Sequence, residues 1–176
     1  MVRTALFTAC LAALTMAVPV GAAEFRLAPD DTTVTVGDTF TLRVMVDAVP
    51  DLKGYQVAFA YPPARLQLLA MPAGNILTDG AGAWFAYLLP DVTAPADTAW
   101  MDAAKLDGSA QGPGVAAYLQ FKALTEGDAP LSCAYAEMRD SNNVPLLPAC
   151  FAGVVHIIGP TPVARRTWGR IKALYR

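Results

Sequence analysis

The chain has 176 residues, of which 55% are hydrophobic, and a formal net charge of −2 that is unevenly distributed. Residues 24–160 contain all fifteen Asp and Glu against seven Lys and Arg, a net charge of −8, whereas residues 165–176 contain five basic residues and no acidic one. Nucleic-acid binding needs a basic face, so this acidic composition excludes nucleic acid as the partner of the main domain. From about residue 24 onward the chain has about 150 residues, a length that suits one domain with a single core.

The first 23 residues have the pattern of a secretory signal peptide. Arg3 supplies the positive start, residues 4–20 form an apolar run, and residues 21–23 are the small Gly-Ala-Ala that signal peptidase requires. We therefore expect residues 1–23 to be removed, together with Cys10. The mature protein is then secreted, to the extracellular space or the cell surface.

Short alternating segments separated by Gly, Pro, Asp and Asn follow along the chain. In residues 39–47 apolar and polar side chains alternate, and the side chains on the same side of the strand as Phe40 are expected to face the core. The predicted strands are 33–36, 39–47, 55–61, 66–70, 83–89, 98–104, 115–124, 131–139 and 151–158. About nine short strands without helices between them predict an all-β fold, an antiparallel β-sandwich of jelly-roll or immunoglobulin-like topology.

Two cysteines remain after export, Cys133 and Cys150, and they are equally far from the turn at residues 140–143 (DSNN). If this turn closes a hairpin with equal arms, the cysteines face each other across neighbouring strands. In an oxidising compartment this arrangement predicts a disulfide. A metal or redox site is not favoured, because a short Cys spacing and a nearby histidine pair are both missing from the sequence.

Four segments, taken in order, resemble a known family. They are residues 34–40 (VTVGDTF), 52–66 (LKGYQVAFAYPPARL), 114–122 (GVAAYLQFK) and 153–157 (GVVHI). They resemble the first strand pair, the aromatic-rich strand, the late core strand and the closing strand of cohesin domains. The resemblance covers about residues 27–158. It implies a non-catalytic module without a cofactor, which binds a dockerin-type protein partner in an extracellular polysaccharide-degrading system.

The cohesin resemblance also implies which face meets the partner. The outward residues of the aromatic-rich strand, Gln56, Ala58 and Ala60, are the candidate binding residues. The sequence departs from the family here, because Gly54 and Gln56 replace polar Asn and Asp, and residues 61–63 (YPP) replace Tyr-Asp-Pro. A single amide then remains where the family has a donor and an acceptor. The alternative is an ordinary solvent-exposed face, or one covered by a loop.

Two other classes of function stay open. Trp84, Tyr87 and Trp100 are candidates for stacking against a glycan, although Trp84 lies on the opposite side of its strand from Phe85 and Tyr87. Core packing is the alternative role for these aromatics. The third hypothesis is a structural cell-envelope or adhesion domain without a dedicated ligand pocket.

The titratable residues do not form a catalytic motif. Asp91, Asp97, Asp102 and Asp107 lie in loop-rich sequence and have oxygens suited to calcium, but no twelve-residue calcium loop is present, so solvated acids are the default. His156 lies in an apolar run without a nucleophile motif, which indicates a structural or surface histidine. We therefore predict no enzyme and no metal site.

The C-terminal end changes character. Residues 159–164 form a Pro-containing linker, and residues 165–176 form a basic amphipathic tail whose docking side would include Trp168, Ile171 and Tyr175. So short a helix is marginal by itself. We expect it to bind a partner protein or envelope component, an anionic surface or the domain's own sheet. A disordered solubilising end is the alternative.

Overall fold

The computed structural model describes residues 23–160, except for residue 48, residues 80–81 and residues 91–96. Residues 1–22 of the predicted signal peptide, most of the linker and the tail residues Trp168, Ile171 and Tyr175 therefore lie outside the described residues. No helix of a length and hydropathy that would cross a membrane occurs in the described part. Its strands are β1 (Glu24–Ala28), β2 (Asp31–Thr35), β3 (Thr39–Asp47), β4 (Gly54–Ala60), β5 (Leu66–Ala70), β6 (Trp84–Pro90), β7 (Thr98–Lys105), β8 (Gly114–Ala123), β9 (Gly127–Pro130), β10 (Ser132–Arg139), β11 (Pro145–Leu146), β12 (Ala149–Phe151) and β13 (Val154–Ile158).

These strands form three sheets. The first sheet has the order β12-β1-β3-β8-β5, and the second sheet has the order β11-β10-β4-β7-β6. The third sheet, β2-β13-β9, is smaller, and Val155, Ile157 and Ala129 connect it to the common core. The predicted β-sandwich is confirmed.

The core lies between the inward sides of the first and second sheets. In β4, Val57 and Phe59 are fully buried, and in β3 the buried residues are Leu42, Val44 and Val46, as the two-residue period predicts. Aromatic contacts join the sheets: the rings of Phe25 and Tyr55 are 5.8 Å apart, with an interplanar angle of 67°.

A buried hydrogen bond also crosses this core. The hydroxyl of Tyr55 on β4 donates to the carbonyl oxygen of Ala116 on β8 at 3.0 Å. Burial raises the pKa of Tyr55, since it disfavours the charged phenolate. The hydroxyl therefore remains a donor at neutral pH, and it connects the two sheets.

The margins of the sandwich differ from the sequence prediction. The strands β1, β9 and β11 were not predicted, and the predicted strand 151–158 is two strands in different sheets. The break falls at Gly153, where a Cβ atom would be 2.1 Å from the carbonyl oxygen of Asp30, so only glycine fits. Two pairings are parallel, β1 with β12 and β2 with β13, because the last strands return alongside the first ones.

Cys133 and Cys150 form the predicted disulfide, with their Cα atoms 6.1 Å apart. The predicted hairpin also forms, but its arms pair only at two positions, Met138 with Leu146 and Arg139 with Pro145. The expectation that the cysteines face each other across neighbouring strands of this hairpin was wrong. After Pro148 the chain crosses to the first sheet, where Cys150 pairs with Phe25 of β1. The disulfide therefore joins the two layers of the sandwich.

His156 lies at the centre of the third sheet, between two acidic residues from the flanking strands. Its Nδ1 is 2.7 Å from Oδ1 of Asp128 on β9, and its Nε2 is 3.5 Å from Oδ1 of Asp31 on β2. The pKa of His156 is raised, chiefly by the hydrogen bond with Asp128. The single histidine thus connects three strands electrostatically, in line with the structural role predicted for it.

Replacing both cysteines by serine (C133S/C150S) should lower the free energy of unfolding by about 3 kcal/mol, since the disulfide restricts the unfolded chain. Urea unfolding monitored by tryptophan fluorescence measures this difference. A reducing agent should destabilise the wild type similarly and leave the double variant unchanged. Equal stability of the two oxidised proteins would contradict a stabilising role for the cross-link.

The histidine contact should make stability depend on pH. Because the folded-state pKa of His156 is raised, its stabilisation is fully present below about pH 6.5, the pKa of an unperturbed histidine. It is lost as the pH rises through the folded-state pKa. The difference in melting temperature between wild type and D128N should therefore shrink from pH 5.5 to pH 8.5. The control D31N should show a smaller difference, and a pH-independent D128N effect would rule out this linkage.

Candidate functional site

The outward side of the second sheet, hereafter the outward face, is the candidate site. Residues paired in an antiparallel ladder point to the same side of a sheet, so the register of β6, β7, β4 and β10 defines rows of side chains across it. The three rows are Trp100 with Ala58 and Tyr135; Tyr87 with Asp102, Gln56 and Glu137; and Phe85 with Ala104, Gly54 and Arg139.

The first row is an aromatic pair above a small residue. Trp100 and Tyr135 pair with Ala58 from its two sides, and their rings stack with centroids 5.5 Å apart and an interplanar angle of 22°. Ala58 is fully buried although it points outward. The two rings cover it, and they form the raised apolar part of the outward face.

A β-bulge in β10 makes this pair possible. The register shifts between Cys133 and Tyr135, so Cys133 pairs with Phe59 and Tyr135 pairs with Ala58. In a regular strand, residues two positions apart point to the same side. Because Ala134 is an extra residue, Cys133 points inward like its partner Phe59, whereas Tyr135 points outward like its partner Ala58.

Polar groups along β10 continue from this aromatic pair. The hydroxyl of Tyr135 donates to Oε2 of Glu137 at 2.5 Å, and Nη2 of Arg139 is 2.6 Å from Oε1 of the same carboxylate. The hydrogen bond from Tyr135 is the main cause of the lowered pKa of Glu137, and Arg139 lowers it further. Glu137 is therefore held ionised and in a fixed orientation.

A depression of about 350 Å³ lies beside these groups on the outward face. Gly54 and Gln56 are among its lining residues, with Asp102 on one flanking strand and Glu137 and Arg139 on the other. The bare backbone of Gly54 leaves this part of the sheet low. The depression offers an amide, two carboxylates and a guanidinium to a ligand, next to the aromatic pair.

The predicted binding residues all lie on β4 but differ in accessibility. Gln56 is half-buried at the depression, and Ala60 is half-buried at the end of the strand. Ala58 was predicted to contact a partner, but its side chain is fully buried, and Trp100 and Tyr135 pair with it from its two sides.

The predicted glycan-stacking residues do not share one face. Tyr87 and Trp100 belong to the outward face, whereas Trp84 pairs with Lys105, whose side chain is buried on the inward side. Trp84, Phe85 and Tyr87 are 40%, 52% and 50% exposed, so core packing is wrong for these three residues.

The acidic residues considered for calcium are dispersed. Asp102 lies on the outward face, Asp97 accepts a hydrogen bond from the hydroxyl of Thr98, and Asp107 accepts one from the backbone N–H of Ala83. Asp91 lies outside the described residues. Among the residues that are described, no three His, Cys, Asp or Glu side chains converge in a way that would hold a metal ion.

Comparison with known proteins places the fold. The sequence matches no protein-family model and no curated protein. A non-cellulosomal cohesin from the archaeon Archaeoglobus fulgidus matches with a TM-score of 0.64 at 13% identity, over 78% of this chain and 91% of that one. The chain has the cohesin fold.

Bacterial cohesin structures give the same result. A type I cohesin–dockerin complex from Clostridium thermocellum matches with a TM-score of 0.64 at 14% identity, over 78% of this chain and 99% of that one. A type II cohesin from the cellulosome of Acetivibrio cellulolyticus matches with a TM-score of 0.64 at 18% identity, over 77% and 95% of the two chains. The cohesin fold predicted from the sequence is confirmed.

On this cohesin fold, sequence reasoning missed several residues of the outward face. Tyr135, Glu137 and Arg139 come from β10 and were not singled out, because only pairing with β4 brings them beside Gln56. The alternation of Tyr135, Glu137 and Arg139 along the chain was an available signal that they share one side of a strand.

Removing the Tyr135 hydroxyl should change the ionisation of Glu137. In Y135F the pKa of Glu137 should rise, because the hydrogen bond that chiefly lowers it is lost while the phenyl ring stays on Trp100. Carboxylate chemical shifts followed by NMR during an acid titration measure this pKa. Y118F on β8 of the first sheet is the control, and a Glu137 titration unchanged in Y135F would contradict the hydrogen bond.

Proposed function

We propose that this chain is a non-catalytic binding module that docks a dockerin-type protein partner on the outward face of the second sheet. The observation that carries the proposal is the cohesin fold with a sheet face that combines an aromatic pair and a row of polar groups. The similar Clostridium thermocellum structure is itself a cohesin–dockerin complex. The family resemblance of the sequence supports the same class of partner.

The chemistry of the outward face suits a protein partner. Interfaces combine an apolar centre, often aromatic, with polar groups that fix orientation. Trp100 and Tyr135 supply such an apolar centre, and the exposed Asp102 and half-buried Gln56 and Glu137 supply polar groups at its border. Gln56 can both donate and accept hydrogen bonds, so it can read the register of a partner element.

The carboxylates of the outward face do not favour hydrolysis. A glycosidase uses one carboxyl group as a general acid, which requires a raised pKa. The pKa of Glu137 is lowered, and both of its oxygens are engaged by Tyr135 and Arg139. This supports binding as the role of the depression.

We also propose that the module works outside the cytoplasm, in an assembly that degrades polysaccharides. The disulfide supports an oxidising compartment, and the predicted signal peptide supports export. The link to polysaccharides follows from the family resemblance and from the cellulosomal origin of the similar Acetivibrio cellulolyticus structure.

Calorimetric titration of the protein with a panel of type I and type II dockerin modules, in calcium-containing buffer, tests the proposed partner. For a dockerin that binds, Q56R and W100A should each weaken affinity at least about tenfold, because Trp100 belongs to the apolar centre and Gln56 to the polar groups at its border. T41R is the matched control, since the exposed Thr41 lies on β3 of the first sheet.

Two outcomes would contradict the proposal. Loss of binding in T41R but not in Q56R would place the partner on the other sheet. Failure of every dockerin to bind, together with retention of the protein on a glycan array, would favour a carbohydrate-binding module. In that case W100A should abolish retention.

A further inference from the structure

Strand β6 forms one edge of the second sheet, and in the described part of the chain no strand pairs with its outer side. It pairs with β7 over seven consecutive residues, from Trp84 to Pro90, without a register shift. Its outer side therefore presents a regular row of backbone N–H and C=O groups to which a further strand can bind.

The other three edges of the two large sheets are short or irregular. β11 has two residues and begins with Pro145, and β12 has three residues. β5 shifts its register between Leu68 and Ala70. Short length, proline and irregular register are devices that keep an edge from pairing with another chain. β6 has none of them before its last residue.

The charge of β6 also sets it apart. Residues 83–90 contain no charged residue, whereas the domain over residues 24–160 has a net charge of −8. Two copies of so acidic a domain repel each other, and an uncharged edge is where they approach at the lowest electrostatic cost. Exposed Phe85 and Tyr87 supply apolar surface at the same edge.

The sequence of β6 favours one symmetric register. When two copies of a strand pair antiparallel about a two-fold axis, residues equally far from the centre face each other. A centre at Ala86 places Phe85 of each copy opposite Tyr87 of the other, which makes two aromatic cross-strand pairs. A centre at Phe85 or at Tyr87 makes only one aromatic pair on this side.

We propose that β6 is a dimerisation edge, and that its partner is a second copy of this chain. Two β6 strands pair antiparallel about a two-fold axis at Ala86 and join the second sheets into one ten-stranded sheet. The axis is perpendicular to the sheet, so both outward faces lie on the same side. The dimer then presents two partner-binding faces side by side, although the edge pairing itself does not depend on what those faces bind.

Sedimentation equilibrium of the mature protein over a concentration series tests the dimer, with charge variants that report the register. In F85K/Y87K the proposed pairing places like charges directly opposite each other twice, so this variant should stay monomeric. In F85K/Y87D the same pairing places opposite charges together, so the dimer should persist. L147K, at a side chain 91% exposed and remote in sequence from β6, is the control and should dimerise like the wild type. Circular dichroism and melting temperature confirm that each variant is folded.

The expected result is a mass that rises to twice the monomer mass in the wild type, L147K and F85K/Y87D, but not in F85K/Y87K. A wild type that is monomeric at every concentration overturns the proposal. A dimer that persists in F85K/Y87K places the contact elsewhere and also overturns it. Loss of the dimer in both folded charge variants overturns the register at Ala86. Dockerin titration of the wild type and of L147K, in which the outward face is intact, separates these outcomes from the proposed partner binding.

Discussion

Hydrophobic contact between the inward sides of the two large sheets is the constraint on which the rest of the structure depends. Tyr61 and Phe121 pack edge to face with ring centroids 5.1 Å apart, and Phe25, Phe59 and Leu119 are fully buried. A slip of one residue in any strand would turn its apolar set toward water, so burial fixes the register of each strand. The register that buries the apolar residues also determines which residues point outward.

Packing of the core therefore determines the positions of the side chains on the outward face. Gln56 lies between buried Tyr55 and Val57, and its position follows from theirs. Asp102 and Glu137 flank it because the buried Met101 and Met138 hold the neighbouring strands in register. The proposed partner would thus meet polar groups that are already positioned, which would lower the conformational entropy lost on binding.

Local sequence patterns predicted the features that depend on neighbouring residues. The alternation in residues 39–47 and 55–61 located β3 and β4. The disulfide between Cys133 and Cys150 was predicted correctly but for the wrong reason, since the two cysteines lie in different sheets and not across the hairpin at 140–143. The patterns failed for β9 and β11, which have four and two residues, because so short a segment shows no measurable period. The stacking of Trp100 on Tyr135 was beyond such reasoning, because it arises from two strands that meet only through β4.

The bulge at Ala134 separates the position of the disulfide from that of the outward surface during evolution. Because of the extra residue, Cys133 points inward to the disulfide while Tyr135, two positions later, points to the outward face. Deletion of that one residue would restore a single alternation and force one of the two side chains to the wrong layer. While the extra residue is kept, selection can alter the surface without disturbing the cross-link behind it.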